Sequence, residues 1–342
     1  MRKRILLFTN TIPDYRRKLY SCIAQKHELT VVVSEPIHCQ GEPYHVIVMP
    51  TYKVGPLYFQ SGLGDIINRI TPDKIVVMFD VRWVSVMLLP LLYRNYEYIS
   101  WGYRRSKKKF VENIKSPFLA LYNKHIVYSE GEGKSLIDRI GDNNHVVVAN
   151  NTIEVLNYSD HSSSQKDSFI FVGRLQQRKN IDMLLRSYSR LVQTEAGQGI
   201  LLNIVGSGEE EDWLKALAKQ EGIHESVKFW GTITDHITLE KLYSRAYAYV
   251  SPGAVGLGVL HSFAYGVPVV TNSEAYHGPE YENLVHYENA LIYSDEAGLY
   301  PLMLKLVEDK EFAASLGTNA FRHYADGRLM EHMCERMCST FE

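Results

Sequence analysis

The sequence predicts an α/β protein made of two doubly wound domains, each with a parallel sheet covered by helices on both faces. The 342 residues are too many for one ordinary domain and suit two. Short apolar runs alternate with longer segments of helical period along the chain, which is typical of parallel sheets with crossover helices. A polar, serine-rich stretch at residues 157–167 divides this alternation into two series and predicts a linker.

The first domain is predicted at residues 1–156 and the second at 168–325, and residues 326–342 are expected to form a C-terminal helix that packs back on the first domain. In the first domain we expect strands at 4–9, 29–33, 45–49, 74–79, 96–100, 125–128 and 145–148, with helices at 13–26, 60–70, 83–93, 108–123 and 131–139. In the second we expect strands at 168–172, 200–205, 226–230, 247–250 and 267–271, with helices at 179–193, 208–221, 236–246, 257–265 and 295–308. Ligands of such sheets bind outside the carboxyl ends of the strands, so the two domains are predicted to face each other across a cleft.

Composition excludes several classes of protein. The chain is 45% hydrophobic and 22% charged, with a net charge of −2, so nothing global predicts a nucleic-acid partner. The longest apolar run, residues 84–93, is about half of what a membrane span needs, and residues 1–10 hold too few apolar side chains for a signal peptide. Cys334 and Cys338 lack a cluster of further ligands, so no metal site is predicted, and the four cysteines are interpreted as reduced in a cytoplasmic protein.

Two cations follow the first strand of the second domain. Arg174 and Lys179 stand between that strand, which ends at Gly173, and a helix that begins near Ile181. Arg can bind two oxygens at once and Lys supplies a point charge, so cations at a strand end beside a helix start favour a diphosphate ligand. The alternative is that both are ordinary solvated surface cations.

Several motifs in this half of the chain occur in a familiar order. The segments are "FVGRLQQRKNIDMLL", "NIVGSGEEEDWLKALA", "VKFWGTITD", "YVSPGAVGLGVLHSFAYGVPVVT" and "ENALIY". Together they resemble the C-terminal domain of family-4 (group 1) retaining glycosyltransferases, which have the two-Rossmann fold called GT-B. The resemblance covers roughly residues 168–325 and is weaker over residues 1–150, where it depends on residues 127–155.

The resemblance implies a set of residues that bind the donor nucleotide. Arg174 and Lys179 would hold the diphosphate of a nucleotide sugar and act in catalysis. The base would lie against Ile233 with Asp235 nearby. The glycine turn after Ser251 would present main-chain N–H groups to the phosphate, a task that needs close approach and no side-chain charge; these N–H groups belong to Val255, Gly256 and Leu257.

This sequence departs from the family at two positions. The family carries two glutamates here, and their positions in this chain hold Gly253 and His261. An imidazole can still hydrogen-bond a ribose hydroxyl, so we expect His261 to contact the nucleotide; the alternative is a core histidine. Gly253 offers no side chain, so contacts to the donor sugar must come from elsewhere.

The loop at residues 273–290 is the nearest candidate for those contacts. It follows a strand end and contains His277, Glu280 and Glu282, of which Glu282 best fits the family's glutamate and is assigned a catalytic role. A surface loop whose acidic residues cap helices is the alternative.

The first domain is expected to bind the acceptor. Asp80 follows a buried strand and is a candidate catalytic residue, although a helix-cap role is also open. The family's histidine in the region of residues 100–110 is replaced by Trp101, Gly102 and Tyr103, so no catalytic histidine is predicted. The candidate acceptor or membrane residues are Arg16, Tyr103, Arg104, Arg105, Lys107 and Lys108. The last four belong to a basic run that precedes an amphipathic stretch, a combination typical of anionic membrane surfaces. A merely solvated start of a helix is the alternative.

We therefore expect a retaining, metal-independent glycosyltransferase with no cofactor. It would move a sugar from a UDP or GDP sugar to a glycan or lipid-linked saccharide in surface polysaccharide or glycoconjugate synthesis. The expected location is cytoplasmic, at the inner face of the plasma membrane. A non-catalytic sugar-nucleotide-binding relative and a sugar-nucleotide epimerase of the same fold are the alternatives.

Overall fold

The structure is a computed structural model that describes residues 1–37, 41–106, 108–141 and 145–342. The chain forms two compact units: residues 1–154 together with 330–342, and residues 155–329. The segment 157–167, predicted as a linker, belongs to the second unit, since the Ser159 N–H donates to the Ala264 carbonyl at 3.1 Å. The last residues of the chain belong to the first unit.

The first unit contains a seven-stranded parallel sheet in the order β3-β2-β1-β6-β7-β8-β9, and a separate two-stranded antiparallel hairpin, β4-β5. Its strands are β1 Arg4–Phe8, β2 Glu28–Val33, β3 His45–Val48, β4 Thr51–Val54, β5 Leu57–Gln60, β6 Lys74–Met78, β7 Glu97–Trp101, β8 Lys124–Val127 and β9 Val146–Val148. Its helices are α1 Asp14–Lys26, α2 Leu63–Ile70, α3 Val84–Met87, α4 Leu89–Leu92, α5 Lys109–Leu119 and α6 Glu130–Ile140, with α13 Met330–Ser339 at the end of the chain.

The second unit contains a six-stranded parallel sheet in the order β12-β11-β10-β13-β14-β15. Its strands are β10 Ser168–Val172, β11 Leu201–Val205, β12 Val227–Phe229, β13 Ala246–Ser251, β14 Val269–Asn272 and β15 Ala290–Tyr293. Its α-helices are α7 Ile181–Leu191, α8 Glu211–Gln220, α9 His236–Ser244, α10 Gly258–Ala264, α11 Leu299–Glu308 and α12 Lys310–Gly327, and short 3₁₀ helices occur at Gln177–Lys179, Pro279–Asn283 and Glu296–Gly298.

Strands buried on both faces account for the continuous apolar runs in the sequence. In the first unit, alternate residues of β6 point to opposite faces. Val76 joins a core with α1 and α13, and Val77 joins a second core with α2 on the other face. The same alternation occurs along β1, so both layers of helices are required to cover the sheet.

The structure differs from the sequence prediction around residues 51–93. The helix predicted at 60–70 begins only at Leu63, because residues 57–60 form the second strand of the β4-β5 hairpin. The helix predicted at 83–93 is divided into α3 and α4, with Pro90 in the first turn of α4, where a missing N–H costs little.

A disulfide joins α1 to α13. Cys22 and Cys334 are bonded with their Cα atoms 6.3 Å apart, and Cys338 is buried as a free thiol. The expectation that all cysteines are reduced is therefore wrong for Cys22 and Cys334. These two residues are 312 positions apart, so the sequence alone gave no sign that they meet.

Among the described residues, no helix has both the length and the apolar character needed to cross a membrane.

Candidate functional site

Three loops meet at the carboxyl edge of the sheet in the second unit. They follow the neighbouring strands β10, β11 and β13. The Leu175 N–H donates to the Ser207 carbonyl at 3.0 Å, which joins the first two loops, and the Gly253 N–H donates to the Lys179 carbonyl at 3.0 Å, which joins the first and third. The rim is thus one hydrogen-bonded assembly of main chain.

Glycine is required where these loops touch. A Cβ atom at Gly253 would lie 2.1 Å from the Arg178 carbonyl oxygen, and one at Gly206 would lie 1.9 Å from the Gly173 carbonyl oxygen. Both obstacles are backbone atoms, so neither can move without displacing its loop. The glycines therefore fix the distance between the loops.

Lys179 lies at the junction of the first and third loops. Its side chain is buried at 8% exposure, and its ammonium group donates to the Ala254 carbonyl. Burial lowers the pKa of Lys179 to about 8; the charge of Arg178 lowers the pKa further, whereas Glu280 raises it. A buried lysine held by a neutral carbonyl, with its charge only partly compensated, is well suited to receive an anion.

Arg174 lies on the same loop as Lys179 but is exposed. No ion pair or hydrogen bond of its guanidinium group occurs among the described residues. Its five donors are therefore available to solvent or to a ligand. The structure places both predicted diphosphate residues on one short loop, and their role in binding stays a prediction.

The turn after β13 differs in part from the prediction. The Val255 N–H donates to Nδ1 of His277 at 3.2 Å, so it is occupied within the protein. Nε2 of His277 lies 2.7 Å from the Asn272 carbonyl, which fixes the proton on Nε2. The prediction that the Val255 N–H donates to the phosphate is therefore corrected. This amide is bonded to His277 and holds the turn in position. His277 was predicted to contact the donor sugar, but in the structure it is the brace of this turn, holding it through the Val255 amide. The His277 ring stacks on the Tyr281 ring, with the two centroids 4.1 Å apart.

The next two amides of the turn remain open. Within the described chain, the N–H groups of Gly256 and Leu257 have no hydrogen-bond partner. A Cβ atom at Gly256 would meet no atom within 4 Å, so there is room for a side chain at this position. The role of these two amides in binding an anion stays a prediction.

His261 lies on α10, packed between aromatic rings. Its ring centroid is 5.2 Å from that of Tyr243 and 5.7 Å from that of Tyr265. Burial, with a smaller contribution from the charge of His236, lowers its pKa to about 4, so the ring is neutral at pH 7. Its Nε2 atom and the Tyr243 hydroxyl are both buried without a hydrogen-bond partner. His261 is thus packed like a core residue, but its polar atom is not satisfied by the protein.

Asp235 is used by the fold. Its carboxylate caps α9, accepting from the Thr238 N–H at 2.9 Å and from the Thr238 hydroxyl at 2.5 Å, and the side-chain and backbone hydrogen bonds of Thr238 lower its pKa. Asp235 therefore serves as a helix cap, and its predicted place near the base stays a prediction. Ile233 lies half-buried on the preceding loop, where the base contact stays a prediction.

The two glutamates of the loop after β14 have different surroundings. Glu280 is only 5% exposed, lies in the 3₁₀ helix Pro279–Asn283, and acts on the pKa of Lys179. Glu282, which the sequence favoured as the catalytic glutamate, is exposed. Glu280, rather than Glu282, therefore acts electrostatically on Lys179.

In the first unit, three predicted residues are held by the fold. Asp80 forms a bidentate ion pair with Arg82, at 2.6 Å for the shortest contact, and is not a helix cap. Arg16 is 4% exposed and its guanidinium lies 4.9 Å above the Trp101 ring. Tyr103 is fully buried and donates to Glu112 at 2.7 Å. The prediction that Arg16 and Tyr103 contact the acceptor is therefore corrected, because both side chains are buried and have structural roles.

The basic run precedes α5. Arg104, Arg105 and Lys108 are exposed, and Lys107 lies outside the described residues. On α5, Phe110 is 74% exposed and Ile114 is 40% exposed. The predicted combination of cations and apolar side chains is thus present on the surface of the first unit.

Sequence reasoning missed two features. The His277 brace needs a contact across 22 residues, and the only signal was a histidine in a loop already considered functional. A stack of Tyr58 on Trp83, with ring centroids 4.8 Å apart, joins the unpredicted β4-β5 hairpin to the segment before α3.

Among the described residues, no cluster of three or more His, Cys, Asp or Glu side chains is arranged to hold a metal ion.

The fold and the rim define a doubly wound α/β protein with a candidate anion site at the strand ends of its second unit. Residues 159–323 match the family described as glycosyl transferases group 1. The chain is 34% identical over 125 residues to an uncharacterized glycosyltransferase from Methanocaldococcus jannaschii, covering 35% of this chain and 31% of that protein. It is 27% identical over 230 residues to an uncharacterized glycosyltransferase from Haemophilus influenzae, covering 64% and 63% of the two chains.

Among solved structures, Anabaena HepE in complex with UDP matches with a TM-score of 0.79 at 15% identity, over 98% of this chain and 99% of that one. The predicted fold class, two doubly wound domains of GT-B type, is confirmed by this likeness. The match of residues 159–323 to glycosyl transferases group 1 agrees with the predicted class of enzyme, a glycosyltransferase. This chain therefore matches about a third of the length of the first relative and just under two thirds of the second.

Proposed function

We propose that the chain is a retaining glycosyltransferase that moves a sugar from a nucleoside-diphosphate sugar to a hydroxyl of a glycan or lipid-linked saccharide. UDP is the first candidate nucleotide, since HepE has been solved with UDP and with UDP-glucose, and GDP is the second. We assign the product to surface polysaccharide or glycoconjugate synthesis.

The observation that carries this proposal is the environment of Lys179. Burying a cation beside a neutral carbonyl costs free energy, which an anionic ligand would recover by pairing with it. The open amides of Gly256 and Leu257 supply two further donors from the adjoining turn. The exposed guanidinium group of Arg174, on the same loop as Lys179, would bind two phosphate oxygens at once.

In the proposed reaction, the bond between the anomeric carbon and the β-phosphate oxygen breaks while the acceptor oxygen bonds to the same face of that carbon. The acceptor hydroxyl proton passes to the departing phosphate. Lys179 and Arg174 would compensate the charge that develops on the leaving group, and we propose no cofactor or metal for this step. Glu280 would keep Lys179 positioned and partly charged.

The unsatisfied Nε2 of His261 supports a contact with the ribose, which requires the aromatic rings around this buried atom to move apart on binding. A neutral imidazole can donate to or accept from a hydroxyl, and the neighbouring Tyr243 hydroxyl can complete the pair. Ile233 would lie against the base.

The test is a thermal-shift panel of UDP, GDP, ADP and CMP, followed by NMR of the anomeric configuration of any product. A nucleotide that binds the native state raises the melting temperature. Lys179→Met should abolish the shift. Lys166→Met is a matched control, because Lys166 is in the same unit, burial also lowers its pKa to about 8, and it also donates to a backbone carbonyl, that of Ser244 at 3.0 Å.

Binding without release of nucleoside diphosphate in the presence of acceptors would instead favour a non-catalytic relative. The absence of room for any side chain at Gly253 is the observation that keeps this second function in consideration. No shift with any nucleotide would refute both.

We also propose that the basic run meets the inner face of the plasma membrane. Each cation near an anionic surface contributes about 1 kcal/mol, and Phe110 is exposed enough to insert. Co-sedimentation with phosphatidylglycerol vesicles should fall in Phe110→Ser and in Arg105→Ser. Tyr287→Ser, which changes a 56% exposed aromatic of the second unit, is the control and should bind as the native protein does. Equal binding to phosphatidylcholine vesicles would contradict the electrostatic part of this proposal.

A further inference from the structure

Two adjoining cavities in the first unit surround the side chain of Trp83. The smaller has a volume of about 190 Å³ and the larger about 420 Å³, and Asn10 and Trp83 line both. The smaller lies where β1 and β6 end, since Phe8 and Met78 are the last residues of those strands. Strand ends of a doubly wound sheet are the usual place for a ligand.

The Trp83 ring is held in a fixed position. Tyr58 stacks on it at 4.8 Å with the two planes only 13° apart. The backbone of β5 anchors Tyr58, because its N–H donates to the Arg82 carbonyl at 2.7 Å. Lys53 places its ammonium 5.6 Å above the Tyr58 ring. Tyr58 and Lys53 thus support one side of Trp83, and its other face has no aromatic neighbour within the described part of the chain.

The lining of the smaller cavity combines apolar and hydrogen-bonding groups. Phe8, Met78 and Val86 are apolar, whereas Asn10 and Gln60 carry amides that can donate and accept. Asp80 also lines this cavity, and its charge is compensated by the ion pair with Arg82. No lysine or arginine is among the described residues that line the cavity, so it offers no cation to a phosphate. A neutral ligand with both an apolar face and a polar rim fits this lining better than a nucleotide does.

We propose that Trp83 is the stacking platform of a saccharide subsite in the first unit. A pyranose ring presents C–H groups on one face and hydroxyls around its edge. The C–H face is attracted to the electron-rich face of an indole, and the hydroxyls find Asn10, Gln60 and Asp80. This inference rests on the proposed function, because a sugar bound here is an acceptor only if the second unit binds a donor.

The experiment uses the full chain labelled with 5-fluorotryptophan. The chain has four tryptophans, so four fluorine signals are expected, and loss of one in Trp83→Phe assigns the signal of Trp83. Methyl α-glucopyranoside, methyl β-galactopyranoside and N-acetylglucosamine are then titrated. We expect at least one of them to shift the Trp83 signal saturably.

Two variants separate stacking from damage to the fold. Asn10→Ala changes an exposed side chain and should raise the dissociation constant of the responding sugar at least severalfold. Trp213→Phe changes a 49% exposed tryptophan of the second unit and should leave the titration unchanged. If no sugar shifts the Trp83 signal, or if the responding signal belongs to another tryptophan, the subsite is refuted.

UDP is added in a separate titration, so the two proposals can fail independently. A sugar that shifts Trp83 while no nucleoside diphosphate binds would support this subsite and overturn the proposed transfer. Nucleotide binding with a silent Trp83 would overturn the subsite alone.

Discussion

The pH dependence of nucleotide binding is the sharpest test of the Lys179 assignment. In the free protein, burial lowers the pKa of Lys179 to about 8. A bound diphosphate favours the charged form and therefore raises that pKa. Binding must then take up a proton above pH 8, so the affinity for UDP is expected to fall as the pH rises.

The magnitude follows from the fraction of protonated lysine. With a pKa of about 8, Lys179 is roughly 90% protonated at pH 7 and roughly 10% protonated at pH 9. If only the protonated form contributes its charge to binding, the dissociation constant rises about tenfold over this range, which is about 1.4 kcal/mol.

Isothermal titration calorimetry with UDP at pH 7, 8 and 9 measures this slope. Titration of UDP itself is common to all variants and cancels when they are compared. Lys179→Met should bind UDP weakly and without the extra slope, whereas Lys166→Met should keep it. The same slope in both variants would refute the assignment of Lys179 as the titrating diphosphate ligand.

Three further predictions concern the fold around the candidate sites. Gly253→Ala should lower the free energy of unfolding by about 1–3 kcal/mol because its Cβ meets backbone, whereas Gly256→Ala, which faces empty space, should not, as melting temperatures will show. Reduction of the Cys22–Cys334 bond should lower the free energy of unfolding by about 2–4 kcal/mol and expose two more thiols to titration in denaturant; an unchanged thiol count would disprove the bond. Burial alone would raise the pKa of Glu112, but the hydrogen bonds that its carboxylate accepts lower the pKa overall. The ionised carboxylate therefore stabilises the fold fully at neutral pH, and this stabilisation is lost in acid. Glu112→Gln should flatten the acid dependence of unfolding and lower the free energy of unfolding by about 3 kcal/mol at pH 7.

The sequence predicted the layers of the fold well because both sheets are parallel and buried on both faces. Runs such as residues 75–78 are apolar throughout, and they stand out from the helical period of their neighbours. The β4-β5 hairpin was missed because its exposed strand residues, including Val54 at 64%, mix with polar ones in no clear alternation. Periodicity reports burial, so an element that lies on the surface leaves little signal.

For the candidate site, chain order located the loops but not the partners of each atom. The residues placed on the rim from strand ends, Arg174 and Lys179, lie there in the structure. The use of the Val255 amide by His277 depends on a contact between loops, as does the burial of Glu280 in preference to Glu282. Such pairings depend on side-chain geometry, which a single sequence does not contain.

The glycine at position 253 shapes the environment of Lys179, whose pKa burial lowers to about 8. A side chain at Gly253 would collide with the backbone of the 3₁₀ helix Gln177–Lys179, so glycine allows the turn to lie directly on it. That contact brings the Ala254 carbonyl, a neutral acceptor, to the Lys179 ammonium. A carboxylate in this position would raise the pKa of the lysine and keep it charged across the neutral range. Glycine at position 253 therefore leaves Lys179 with an incompletely compensated charge, and if Lys179 binds the donor diphosphate as proposed, we expect that binding to depend on pH.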